Sequence, residues 1–161
     1  RPAFAPDGSI TAANASSISD GASALLLMSE AQAQAKGLKT MARMLAHARH
    51  SQAPGEFTTA PIGAIQKLLH KTGWSVDDVD LFEINEAFAM VTMLAISELG
   101  LDANKVNIYG GACAQGHPIG STGSRIILTL MTALKNKGLK RGVAALCIGG
   151  GEATAVAIEL V

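Results

Sequence analysis

The 161-residue sequence predicts a layered α/β fold, a mixed and mostly parallel sheet threaded in the order β-α-β-α-β-α-β-β. Three observations carry this. Short apolar runs alternate with amphipathic stretches that stop at glycine. Alanine, glycine and serine are abundant and aromatics scarce, a composition that lets backbone elements approach closely. The last two apolar runs, 142–148 and 153–161, are separated only by a glycine-rich turn, so they must run antiparallel.

Each element has its own signal. Residues 1–20, rich in Gly, Pro, Ser, Asn and Ala, read as an irregular lead-in. The run Ala-Ser-Ala-Leu-Leu-Leu-Met at 22–28 predicts a buried strand, and 30–36 a helix closed by Gly37. A second strand is expected at 41–48 and a loop at 54–61. The helix that follows carries Ile62, Ile65, Leu68 and Leu69 on one face and ends at Gly73. Residues 80–84 predict a strand. Residues 85–99 predict a helix capped by Asn85 and buried on most sides, since it is apolar almost all round. A short strand at 106–109 leads to the glycine-rich loop 110–123. The helix 124–137 then turns Ile126, Ile127, Leu130, Met131 and Leu134 inward. Three main helices cover a sheet incompletely, which implies a further layer from another domain or a partner.

Composition excludes several classes. Net charge is zero, so no basic footprint for nucleic acid is visible; Lys135, Lys137, Lys140 and Arg141 read as a solvated helix end. Two cysteines make neither a disulfide framework nor a zinc site, and a reduced compartment, the cytoplasm or an organelle matrix, is expected. No apolar run is long enough to span a bilayer, and no secretory signal is visible.

Three residues lie at element ends, where α/β sheets gather their sites. Asn85 either caps a helix or also binds a water. His117 is held extended by Pro118 among glycines, and either presents its ring or serves the loop. Cys147 is either a small core residue or a site residue, with the glycines after it admitting a ligand. The loop 116–123 matches neither common phosphate-binding pattern, and no metal-ligand spacing is present.

Asn85-Glu86-Ala87-Phe88-Ala89, the loop from Gly110 through Gly116-His117-Pro118-Ile119-Gly120 to Gly123, and Cys147-Ile148-Gly149-Gly150-Gly151 together resemble the thiolase family. Arg1-Pro2-Ala3-Phe4, Asn14-Ala15-Ser16 and Asp20-Gly21-Ala22 extend the likeness over essentially the whole chain. The asparagine motif favours thiolases over the related ketoacyl synthases.

The resemblance implies a Claisen condensation of two acyl-CoA molecules, or its thiolytic reverse, through an acyl-cysteine. His117 would activate the nucleophilic cysteine and, with a water held by Asn85, form an oxyanion hole. Cys147 would shuttle the proton, the N–H of Gly149 would serve a second oxyanion hole, and Phe88 would line the acyl and pantetheine pocket. CoA thioesters are substrates, with no cofactor. The family forms dimers and tetramers.

Residues 1–161 then correspond to a C-terminal thiolase domain, with the N-terminal nucleophile domain and the CoA-gripping loop domain absent. Cys113, the only other cysteine, reads as structural. The isolated chain is therefore expected to be inactive without an N-terminal thiolase half. Two other readings use the same residues: a Cys147-His117-Asn85 thioester hydrolase, and a non-catalytic assembly module.

Overall fold

The computed structural model describes residues 1–161. A four-stranded sheet runs in the order β1-β4-β3-β2, with β1 at Ala42–Ser51, β2 at Leu81–Ile84, β3 at Arg141–Ile148 and β4 at Glu152–Leu160. It is mixed as expected, but only β2 and β3 pair in parallel; β3–β4 and β4–β1 are antiparallel. The β3–β4 hairpin closes through Gly150 and Gly151, both at positive φ. A side chain at Gly151 would run into the Gln52 carbonyl, so only glycine fits there.

Helices cover both faces. On one face, α2 (Ala60–Thr72) places Ala64, Ile65, Leu68 and Leu69 over Ala145, Ala153, Ala155 and Ala157, whose small side chains let the helix sit close. The short helix α1 (Glu30–Ala35) is tied to β1 by an ion pair from Arg43 to Glu30. On the other face, α5 (Thr122–Lys137) packs Ile126, Leu130 and Leu134 against Leu81, Ala144 and Ile158. The inward-facing residues expected for both helices are those found, although Ile62, Ile127 and Met131 are only partly buried. Gly73 and Gly138 end the helices in the left-handed conformation.

Four expectations need correction. The run 22–28 is not a strand and not buried: it forms no ladder, and Leu26 and Leu27 are 82% and 68% exposed. Its apolar pattern suits a sheet, but no free strand lies alongside it. Residues 106–109 make a single parallel bridge, Phe82 with Val106, before Asn107 turns to positive φ. The Asn107 side chain takes over: Oδ1 accepts from the Ile84 N–H at 2.8 Å and Nδ2 donates to the Ile84 carbonyl at 2.8 Å, so one amide does the work of a strand. Helix α3 begins at Ala89, not Asn85, and spans Ala89–Leu99 with Phe88 as its cap residue. It buries Val91, Thr92 and Ala95 but leaves Met93 66% exposed, so it lies on the surface rather than buried on most sides.

Candidate active site

The parallel pair β2–β3 ends where the glycine loop returns, and the site is built there. Asn85 continues β2 for one more bond, its N–H donating to the Ala145 carbonyl at 2.9 Å. That pairing replaces the expected helix cap and turns the side chain inward, where it is 2% exposed. Its amide lies between two partners: Oδ1 accepts from Arg125 Nη2 at 3.1 Å, and Nδ2 faces His117 Nε2 at 3.4 Å.

His117 is fixed from its other side by α5. Its Nδ1 lies 2.7 Å from the Thr122 hydroxyl, which donates to the Pro118 carbonyl at 2.9 Å. A hydroxyl has one proton, so Thr122 accepts from Nδ1–H and leaves Nε2 bare, as an acceptor and a base. Burial first, and the Arg125 charge second, push the His117 pKa below its ordinary value. The imidazole is therefore neutral at pH 7.

Cys147 lies near the end of β3, opposite Ala153 and partly packed into the α2-side core. Burial raises its thiol pKa, and no hydrogen bond joins it to His117 or Asn85. Gly149, next but one, is exposed and leaves open space where a side chain would be. Phe88 stands between Phe4 and Phe57 in edge-to-face contacts, at 5.9 and 6.2 Å between ring centroids. Cys113 lies in the first turn of the short helix α4 (Ala112–Gln115) against Glu86; its N–H donates to that carboxylate at 3.1 Å and its thiol pKa is raised by burial.

The lead-in does more than connect. The Ser16 N–H donates to the Ala87 carbonyl at 3.1 Å, Ala89 N–H to the Asn14 carbonyl at 2.9 Å, and His117 N–H to the Ser17 carbonyl at 2.9 Å. Residues 14–17 thus strap the Asn85 motif to the histidine loop. Gly116, at φ +91°, lies so close to Ser19 that a side chain would overlap its hydroxyl.

No group of three His, Cys, Asp or Glu side chains is placed to hold a metal ion, and no helix is long and apolar enough to cross a membrane.

The family model for the thiolase C-terminal domain matches residues 38–160. The chain belongs to the thiolase family. Residues 1–31 match the model of the thiolase N-terminal domain, which includes the unpaired run 22–28. Among curated relatives, a probable acetyl-CoA acetyltransferase of Dictyostelium discoideum is 54% identical over 99% of this chain and 38% of its own length. The cytosolic acetyl-CoA acetyltransferase of Mus musculus is 48% identical over 99% of this chain and 41% of its own. The chain thus spans about two fifths of the length of these relatives. Among solved structures, the acetyl-CoA acetyltransferase of Bacillus anthracis superposes with a TM-score of 0.97 at 46% identity, over 100% of this chain and 41% of that one. A thiolase of Ascaris suum in complex with coenzyme A superposes at 0.90 with 42% identity, over 100% and 42%.

Within this thiolase domain, three side chains at the site escaped sequence reasoning. Thr122 and Arg125 lie one turn apart on α5, and Glu83 faces the same helix from β2, 3% exposed. Burial, opposed by Arg125 and reinforced by Glu86, pushes the Glu83 carboxyl up to about 7. Arg125 did leave a signal: a cation in the first turn of a helix opposes the dipole, a placement that folding alone disfavours.

Proposed function

We propose that the chain is the C-terminal catalytic half of an acetyl-CoA acetyltransferase-type thiolase, acting on acyl-CoA and CoA. The observation that carries this is the His117 ring, locked by Thr122 with Nε2 bare and facing the Asn85 amide. In thiolysis, Nε2 takes the proton of a nucleophilic cysteine supplied by an N-terminal thiolase half. The resulting Nε2–H, with a water on Asn85, then donates to the thioester oxygen. The thiolate attacks the 3-keto carbon, the bond to the α-carbon breaks, and the acetyl-CoA carbanion takes the Cys147 proton. Incoming CoA then gives its thiol proton to the Cys147 thiolate and takes the acyl group, and the released cysteine thiolate recovers its proton from Nε2. The free N–H of Gly149 suits the second oxyanion, and Phe88 the acyl pocket.

A raised thiol pKa and the lack of a bond to His117 suit Cys147 as a proton donor rather than a nucleophile, which favours the thiolase over the hydrolase reading. Glu86 and the buried surroundings of Cys113 favour a structural role for that residue. No metal or cofactor is proposed. The assembled enzyme, with its N-terminal half in the same chain or a partner, would be a dimer or tetramer in the cytosol or an organelle matrix.

The test is acetoacetyl-CoA thiolysis by the assembled protein, this chain with an N-terminal thiolase half restored, beside His117→Ala. A fall of roughly a hundredfold or more in kcat supports the reading. Undiminished turnover in the variant refutes the role of His117, and CoA binding without turnover favours the non-catalytic module.

A further inference from the structure

We propose that Arg125 is a positioning residue of this site: it holds the Asn85 amide with its N–H, rather than its oxygen, toward His117. The inference rests on the thiolase reading for its catalytic meaning, though not for its geometry. An asparagine amide can turn over, exchanging a donor for an acceptor. On one side Asn85 meets an imidazole nitrogen, which donates or accepts according to tautomer; on the other it meets a guanidinium, which only donates. The guanidinium therefore decides. Turned over, Asn85 would set two donors against each other at 3.1 Å.

The hydrogen bonds form one directed chain. Arg125 donates to Asn85, Asn85 faces its N–H to His117, His117 donates to Thr122, and Thr122 donates to the Pro118 carbonyl. Its two ends, a cation and a carbonyl, are of fixed polarity. With Arg125 lost, the chain can reverse: Thr122 leaves Pro118 and donates to Nδ1, and Nε2 gains the proton it must lack to act as a base. Thr122 and Arg125 both lie in the first turn of α5, so one helix end sets both groups.

Arg125 is poorly suited to a purely structural role. It sits at the positive end of the helix, its Nε and Nη1 are buried without partners, and it forms no salt bridge within 4 Å.

The experiment compares Arg125→Met and Arg125→Lys in the assembled protein, with Asn85→Ala and the double variant Asn85→Ala/Arg125→Met. For Arg125→Met, acetoacetyl-CoA kcat is expected to fall about tenfold to a hundredfold with KM changed by less than about threefold, while Tm holds or rises. Arg125→Lys restores much of kcat. In the double variant the Met change adds little to the Asn85→Ala loss, since it acts through Asn85. Unchanged kcat in Arg125→Met, or fully additive losses, overturns the proposal. His117→Ala as a control separates the two claims. If wild type never turns over, nitrogen-15 NMR of the His117 ring still decides: one Nδ1–H tautomer in wild type and a mixture in Arg125→Met supports the proposal, and identical spectra overturn it.

Discussion

At the scale of single residues, the site is a matter of proton placement. Thr122 fixes the imidazole tautomer with one hydroxyl, so Thr122→Val is expected to lower kcat/KM about tenfold to a hundredfold and Thr122→Ser to keep most of it. Steady-state thiolysis checks both. His117 titrates below its ordinary value, so the acid limb of kcat/KM in the assembled protein should lie below about pH 6.5. The charged group that acts on it is Arg125 on α5, itself facing the carboxyls of Glu83 and Glu86. Glu83 affects stability. Its carboxyl, raised from 4.5 to about 7, holds a proton in the folded chain that the unfolded chain has already released. Stability is therefore lost as pH rises from about 4.5 through 7, by about 3 kcal/mol in all. Glu83→Gln should flatten that loss, and denaturant unfolding of this chain at pH 5 and pH 8 would reveal it. An equal fall in both proteins would show that Glu83 is not the source.

At the scale of elements, the sequence was most legible where each element is complete in itself. Helices α2 and α5 announce themselves by apolar period and by Gly73 and Gly138, and their inward faces follow. The β3–β4 hairpin follows from its short glycine turn. Asn85, His117 and Cys147 were legible as element ends, and the structure brings the first two within 3.4 Å. What failed depended on neighbours. Residues 22–28 have a strand's composition but no strand beside them. Residues 106–109 yield to one asparagine side chain, a substitution that periodicity does not register. Asn85 has a cap's identity but a strand's hydrogen bond. Arg125 was hard to place because its partner Asn85 is distant in sequence, and Thr122 because apolar period does not register a hydroxyl that turns back to His117 and Pro118.

The strap at 14–17 follows from backbone bonds, and Ser19 just beyond it leaves a test. Gly116→Ala adds a side chain at φ +91° against Ser19 and is expected to destabilise by about 1–3 kcal/mol. Thiolysis in the assembled protein should suffer too, since the strap bond to His117 N–H adjoins that glycine. A melting curve unchanged by the substitution would show that the strap is looser than described.

At the scale of the whole molecule, the proposed function gives the chain half a site and calls for a surface to match. Ile18 beside the strap, Ile119 in the histidine loop, and Leu26 and Leu27 in the unpaired run 22–28 are largely exposed. Ile18 bridges His117 and Ile119 follows that histidine by two residues, and exposed apolar groups beside a site point to burial by another layer. Leu26→Glu together with Leu27→Glu should abolish co-elution with an N-terminal thiolase half in size-exclusion chromatography while leaving the circular dichroism of this chain unchanged. Co-elution that survives both charges would place the joining surface elsewhere.

The proposed reaction rests on one division of labour: the nucleophile comes from outside this chain, and Cys147 moves protons. The most direct measurement is the position of the acyl group after the assembled protein reacts with acetyl-CoA and is quenched in acid, read by peptide mass spectrometry. The expected result is acetyl on a cysteine of the N-terminal half and none on Cys147 or Cys113, with no acetylation when this chain is treated alone. Acetyl on Cys147 would contradict it and make this chain a nucleophile in its own right.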